Sequence, residues 1–332
     1  MSDISFVIIP PAAVKRQLCG VIFSRIMSRG KLELAAAQLL DFSAADTSAA
    51  ELDHSYTGTA MLAVFTGENA AGKLPELADD IAQSLACDLF AAPAENSQRV
   101  ALMQKLARIA DRDNLLCACP QNGEERTLLI IKPENFRQPS VRPGAIIDML
   151  SSLDLKWVGC KVHSMSIAEA LEFYGPVRQA LRNKLGVKIG NQALETLEQQ
   201  FRFKFASAEA EKIIEAAGNS FADDQFEQIV EFMAGKRPSA VDAADYSKPA
   251  GAKCMVLIFD GADAVAKIRT ILGPTNPAQA TGGTVRYDFG TNIMVNAAHA
   301  SDSVESFERE SSIIKVNKNN LSSILLAAAG DC

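Results

Sequence analysis

A chain of 332 residues is too long for one small core and suits two compact domains of ordinary size. Its 48% hydrophobic content excludes a disordered chain, and a formal net charge of −7 disfavours nucleic acid and anionic membranes as partners. No apolar run is long enough to span a bilayer, and the opening MSDISFVIIPP places Asp3 where a secretion signal needs basic residues, so a cytoplasmic location is expected. The seven cysteines, Cys19, Cys87, Cys117, Cys119, Cys160, Cys254 and Cys332, are scattered and odd in number, which argues against a disulfide framework. The C-x-C at Cys117 and Cys119 has no second thiol pair or His cluster to complete a zinc site.

In chain order, a short apolar run ending in Ile8-Ile9-Pro10-Pro11 predicts a strand, and Gly20 opens an amphipathic helix reaching Met27. A strand over 32–40 follows, then a short polar connection, 41–59, in which solvent exposure accounts for His54. Met61 to Leu74 reads as a buried strand, a turn at Gly67 and a helix. After a polar stretch near 120–125 the pattern returns. Ile130-Ile131-Lys132-Pro133 ends a strand, Gly144 opens a helix, 156–165 is strand-like, and Met255 to Ile268 repeats the strand, turn and helix. The fold class expected is α+β, with two ferredoxin-like βαββαβ domains, 1–120 and 126–332. The second copy differs in its long connection, 166–253, which must carry structure of its own. There Leu181, Leu185, Leu194, Leu197, Phe201 and Phe205 recur at helical spacing, and 208–217 and 223–233 read as two further helices.

His163 alternates with Val162 and Ser164 on a strand and reads as a packing or surface residue. His299 lies in Asn296-Ala-Ala-His-Ala-Ser-Asp302, before a helix over 303–314 that Ser301 or Asp302 would cap. Alone, a strand-end His needs no function. Upstream, however, lie Gly273-Pro-Thr-Asn-Pro277 and Thr281-Gly-Gly-Thr-Val-Arg-Tyr-Asp-Phe289, with Arg269 and Arg286, a composition suited to anion binding. Neutral imidazole is a competent nucleophile, so a His among phosphate binders fits phosphoryl transfer. No Walker-type or kinase-type glycine loop is present.

These segments, together with Asn296 to Glu310 and the strand Thr127 to Pro133, resemble nucleoside diphosphate kinases. The resemblance implies transfer of the γ-phosphoryl group of a nucleoside triphosphate to His299 and then to a nucleoside diphosphate, with Mg2+ bridging the phosphates. It implies that Lys132, helped by Tyr174, contacts the transferring group, and that Arg269, Thr275 and Arg286 hold the phosphates. Asn296 would contact the sugar, Phe226 would stack on the base, and Ser301 and Glu310 would support His299. It also implies a homo-oligomer of pseudo-dimeric chains, with no membrane and no nucleic acid as partner. Three departures stand out: Ala300 where the family usually has Gly, Tyr287 where a small residue often follows the Arg, and an insertion at about 177–223 that suits an enlarged lid or, favoured by its apolar faces, a helical contact between subunits. In the first copy Pro10 replaces the strand-end Lys and no His segment follows, so that copy is expected to be catalytically silent. The alternative function is a non-catalytic nucleotide-binding or scaffold protein.

Overall fold

Strand β1 (Asp3–Ile9) alternates its side chains between two buried faces: Val7 and Ile9 enter one core, Phe6 and Ile8 another. A one-turn helix α1 (Pro11–Lys15) and helix α2 (Cys19–Gly30) lead to β2 (Glu33–Phe42). A capping box of Ser43 and Asp46 starts the short α3 (Ala44–Ala49), after which come β3 (Gly58–Gly67), α4 (Ala70–Leu85), the two-residue β4 (Phe90–Ala91) and α5 (Asn96–Arg112). A tight turn over 121–124 enters β5 (Glu125–Ile131), followed by α6 (Arg142–Leu150) and β6 (Lys156–His163). These elements come from a computed structural model that describes residues 3–112, 120–318 and 320–330. Cys117, Cys119 and Cys332 lie outside the described residues.

The chain forms two compact units, one of Met1–His163 with Lys253–Cys332, the other of Ser164–Ala252. The second unit is helical. A capping box of Ser166 and Glu169 starts α7 (Ile167–Phe173), and α8 (Gly175–Leu181) runs through a π-turn at Arg182–Gly186 into α9 (Val187–Phe201). Phe205 lies past the end of α9, outside the helical spacing the sequence suggested. Helix α10 (Ser207–Ala234) is continuous, where the sequence reads as two helices. Within it Gly218 lies close against the neighbouring segment, since a Cβ there would stand 2.2 Å from the Gly186 carbonyl oxygen. A Cβ on Gly190 would be equally close to the Ile214 carbonyl oxygen, so α9 and α10 pack backbone to backbone. Arg182 and Arg178 both bond Asp223 and hold its carboxyl well below the usual carboxylate range.

The first unit resumes with β7 (Cys254–Gly261), α11 (Ala264–Leu272), α12 (Val285–Phe289), β8 (Ala298–Ala300), α13 (Val304–Ile313) and α14 (Leu321–Ala329). It holds two four-stranded antiparallel sheets of matching order, β2-β3-β1-β4 and β6-β7-β5-β8. Both carry a register shift near the start of an edge strand, at Leu34/Ala36 in β2 and at Trp157/Gly159 in β6. The edge strands β2 and β6 run beside each other, and one core takes side chains from both sheets and from α2 and α6 between them. Leu321 and Leu325 of α14 pack with α5 against the opposite face of the first sheet, beside Phe6 and Ile8.

Helix α6 places Asp148 over the start of α2, where its carboxylate accepts from the Val21 N–H. Burial nevertheless pushes Asp148 up to about 6 and, with Asp148 beside it, pushes the Cys19 thiol up to about 12. Because the folded state holds the Asp148 proton more tightly than the unfolded chain, stability falls as pH rises from about 4 to about 6. Asp148→Asn keeps an acceptor without the charge. It is expected to stabilise by roughly 1 kcal/mol at pH 7.5, discounted for partial exposure, and by nothing at pH 4. Melting curves at the two pH values check this; equal shifts at both would remove ionisation as the cause.

Candidate functional site

The site is built on the end of the second sheet. Strand β8 pairs with β5, setting Ala298 opposite Ile131, His299 opposite Ile130 and Ala300 opposite Leu129. Ala298 and Ala300 face the shared core, so His299 faces the other way. Its ring is 23% exposed, enough to meet a ligand, and Nε2 lies 3.0 Å from the Glu310 carboxylate. Glu310 is buried on α13, accepts the Ser301 hydroxyl proton at 2.8 Å and pairs with Arg309 at 3.3 Å. An ionised carboxylate only accepts, so Nε2 must donate and Nδ1 keeps its lone pair. The cap of α13 is Ser303, which accepts from the Ser306 N–H, and not Ser301 or Asp302; Ser301 is buried and engaged with Glu310 instead.

Just before β8 the backbone is strained. Ala297 has φ +71°, and the Ala298 N–H donates to the Asn296 carbonyl, closing a γ-turn. Neighbours hold it on all sides. Glu134 accepts from the Ala297 N–H at 2.8 Å, while the Ala297 carbonyl accepts from the Lys132 N–H and from Asn135 Nδ2, each at 2.9 Å. Arg142 in turn bonds Asn135 Oδ1 and the Phe289 carbonyl. Sequence reading did not single out Glu134, Asn135 or Arg142. The signal available was the polar run directly after the Lys132-Pro133 strand end.

Lys132 is buried and donates to Asn296 Oδ1 at 2.7 Å and to the Met294 carbonyl at 3.0 Å. Burial pushes its pKa down to about 8; nearby Glu134 opposes the shift and Arg286 adds to it. Asn296 Nδ2 donates to the carbonyls of Thr275 and Ile293, so its amide is engaged within the protein and ties Lys132 to the Thr275 turn.

A cleft of about 400 Å³ is lined by Arg269, Thr270, Gly273, Thr275, Arg286 and Ala300 among others. Gly273 ends α11 at φ +78°, and a Cβ there would press on Thr284 at 2.9 Å. Arg286 bonds the carbonyls of Gly273 and Ala298, bracing the cleft against β8. Its Nε is buried and has no hydrogen-bond partner among the described residues. Burial, and then the charge of Arg269, push Arg286 down to about 10. Two neighbouring guanidiniums with an unused donor form a site that favours an anion. Ala300 is an ordinary strand residue without a positive φ, so its methyl group carries no backbone strain. Tyr287 is 56% exposed. Tyr174 and Phe226 belong to the helical unit: Tyr174 follows α7 with its ring 4.9 Å from that of Phe173, and Phe226 lies on the buried stripe Ala222, Phe226, Val230, Met233, with the Arg178 guanidinium 5.6 Å from its centroid.

The first sheet offers an internal comparison. Ile8 pairs with Phe90 as Ile130 pairs with His299, and the Ala92 N–H donates to the Phe6 carbonyl as the Ser301 N–H donates to that of Leu128. Phe90 and Ala92 therefore stand at the register of His299 and Ser301. The Phe90 ring packs on Phe6 and Tyr56.

Residues 212–319 match the family model for nucleoside diphosphate kinase. The chain is 29% identical over 187 residues to a nucleoside diphosphate kinase of Helicobacter pylori (strain P12), covering 56% of this chain and 92% of that relative. Among solved structures, an NDP kinase from Pyrobaculum aerophilum matches at 25% identity with a TM-score of 0.37, covering 57% of this chain and 94% of its own. The stretch that carries His299, Glu310 and the arginine-lined cleft lies within the stretch that the nucleoside diphosphate kinase model matches.

Proposed function

We propose that this chain transfers the γ-phosphoryl group of a nucleoside triphosphate to a nucleoside diphosphate through a phosphohistidine on His299. The observation that carries the reading is the chain of hydrogen bonds from Ser301 to Glu310 to His299, one residue along β8 from Ala300, which lines the cleft where Arg286 keeps an unused donor. With Nε2 donating to Glu310, the Nδ1 lone pair attacks the γ-phosphorus. The bond from phosphorus to the bridging oxygen breaks, and its electron pair leaves with the nucleoside diphosphate. The Nε2 proton stays in place, and the Glu310 carboxylate offsets the positive charge the ring acquires. The second half-reaction runs the same steps in reverse onto a new diphosphate. Lys132, Arg269 and Arg286 supply positive charge to the phosphates, and the Thr275 turn positions them.

Magnesium would neutralise phosphate charge as part of the substrate. The described residues do not fit a protein-held ion: no three His, Cys, Asp or Glu side chains among them converge on one point, and the cleft presents cations and hydroxyls. We also read the first sheet as a second βαββαβ copy without chemistry, because Phe90 and Ala92 hold the registers of His299 and Ser301, and Pro10 that of Lys132.

Incubation with γ-labelled ATP and magnesium is expected to give an acid-labile phosphoprotein that passes its label to GDP. His299→Ala is expected to abolish labelling. An unlabelled wild type, or a variant that labels as well as wild type, would sink the proposal.

A further inference from the structure

The second sheet aligns four residues in one cross-strand row. His299 on β8 pairs with Ile130 on β5, Ile130 with Val256 on β7, and Val256 with Lys161 on β6. Residues directly opposite one another in antiparallel strands point to the same face, so Lys161 and His299 share a face about 14 Å apart. Lys161 is 6% exposed, an unusual place for an ammonium. Its Nζ donates to the carbonyls of Ile314 and Lys315, each at 3.3 Å. These carbonyls close the C-terminal end of α13, where Lys315 turns left-handed at φ +50°, and a cation there meets the negative end of the helix.

One turn earlier, about 6 Å along the axis, α13 carries Glu310. The helix is thus fastened to the row twice, by Glu310 to His299 and by its last carbonyls to Lys161. The first sheet repeats the row as Phe90, Ile8, Leu62 and Gln38: where the His is lost, the Lys is lost too.

We propose that Lys161 is a positioning residue for the reaction at His299: it fixes the end of α13 so that Glu310 holds the imidazole in the Nε2–H form. This rests on the reading of His299 as the phosphoryl acceptor, but its structural half is tested separately. Lys161→Met keeps the length of the stem and removes the charge. At saturating labelled ATP it is expected to slow His299 phosphorylation about 10- to 100-fold, the scale of a small misplacement of reacting groups, with nucleotide KM within about twofold. Ring-nitrogen NMR of His299 is expected to change from one tautomer to a mixture, and Lys161→Arg to restore both readouts in large part. Wild-type labelling rates in Lys161→Met would overturn the proposal, as would slower labelling with an unchanged tautomer. If Lys161→Met does not fold, Lys161→Gln, the residue standing at this register in the first sheet, is judged by the same two readouts. Should wild type fail to label, the kinase reading falls and the tautomer of the variant alone decides the role of Lys161.

Discussion

Lys132→Met is expected to lower phosphoryl transfer by about a thousandfold and, at pH 7, to make the protein more stable. In the proposed reaction Lys132 supplies a buried positive charge to the phosphates, and deleting one preorganised donor of that kind carries losses of about 10²–10³-fold. The stability gain comes from the same burial. Lys132 has its pKa pushed down from 10.5 to about 8, so its charged form is disfavoured in the folded state by roughly 3 kcal/mol at neutral pH. Methionine removes that cost and fills similar volume. Against it stand the lost hydrogen bonds to Asn296 and Met294, each about 1 kcal/mol. A net gain of about 1 kcal/mol remains.

The sign of the pH dependence follows. Between about 8 and 10.5 the unfolded chain binds the Lys132 proton and the folded protein has released it, so wild-type stability rises with pH across that window. The advantage of Lys132→Met is therefore present at pH 7 and gone by about pH 10. Urea unfolding at both values checks it, and a variant less stable than wild type at pH 7 would mean that the hydrogen bonds outweigh the burial. In catalysis the same titration sets an alkaline limb. Wild-type kcat/KM is expected to fall above about pH 8, and kcat less so, because bound phosphate favours the ammonium.

What the sequence disclosed about this site was local. Gly273 to Phe289 is one connected stretch whose composition suited anion binding, so its company with His299 was readable from the residues, whereas the role of Glu310 came only with the family resemblance. The matching order of the two sheets was foreshadowed because strand, glycine and helix recur in order. What stayed hidden depends on pairing across the sheet. Lys161 is far from His299 in sequence and joins it only through Ile130 and Val256. Phe90 lies on a two-residue strand, too short to carry a periodic signal. The two helices read over 208–217 and 223–233 are one, α10, and its close approach to Gly186 at Gly218 joins segments that the sequence keeps far apart. The strain at Ala297 was invisible for a related reason, since nothing in an Ala-Ala pair announces a γ-turn that Glu134, Asn135 and Lys132 impose from another strand end.

A second glycine contact joins the two halves of the sheet unit. Helices α2 and α6 meet at Gly20 and Gly144. A Cβ on Gly144 would stand 2.1 Å from the Gly20 carbonyl oxygen and 2.6 Å from the Ser24 nitrogen, and one on Gly20 would stand 2.5 Å from the Gly144 carbonyl oxygen. These are backbone atoms that no rotamer change can move aside. Ser24 ties the helices together by donating to the Val141 carbonyl at 3.1 Å. Alanine in place of a helical glycine ordinarily stabilises by up to about 1 kcal/mol. Here Gly144→Ala must push the helices apart and open the core that both sheets share, at a cost of about 2–3 kcal/mol, lowering Tm by roughly 5–10 °C. Gly72→Ala is the matched control. It too replaces the third residue of a helix, α4, but the three atoms nearest its new methyl group all belong to the Asn69 side chain, which is able to turn away. That variant is expected to melt at or slightly above wild type. The shift is also expected to reach the site, because Arg142, in the same first turn of α6, braces Asn135 and through it the strained Ala297 before His299. If Gly144→Ala melts as high as Gly72→Ala, the two helices do not touch backbone to backbone, and the first half of the chain is not clamped to the half that bears His299 in this way.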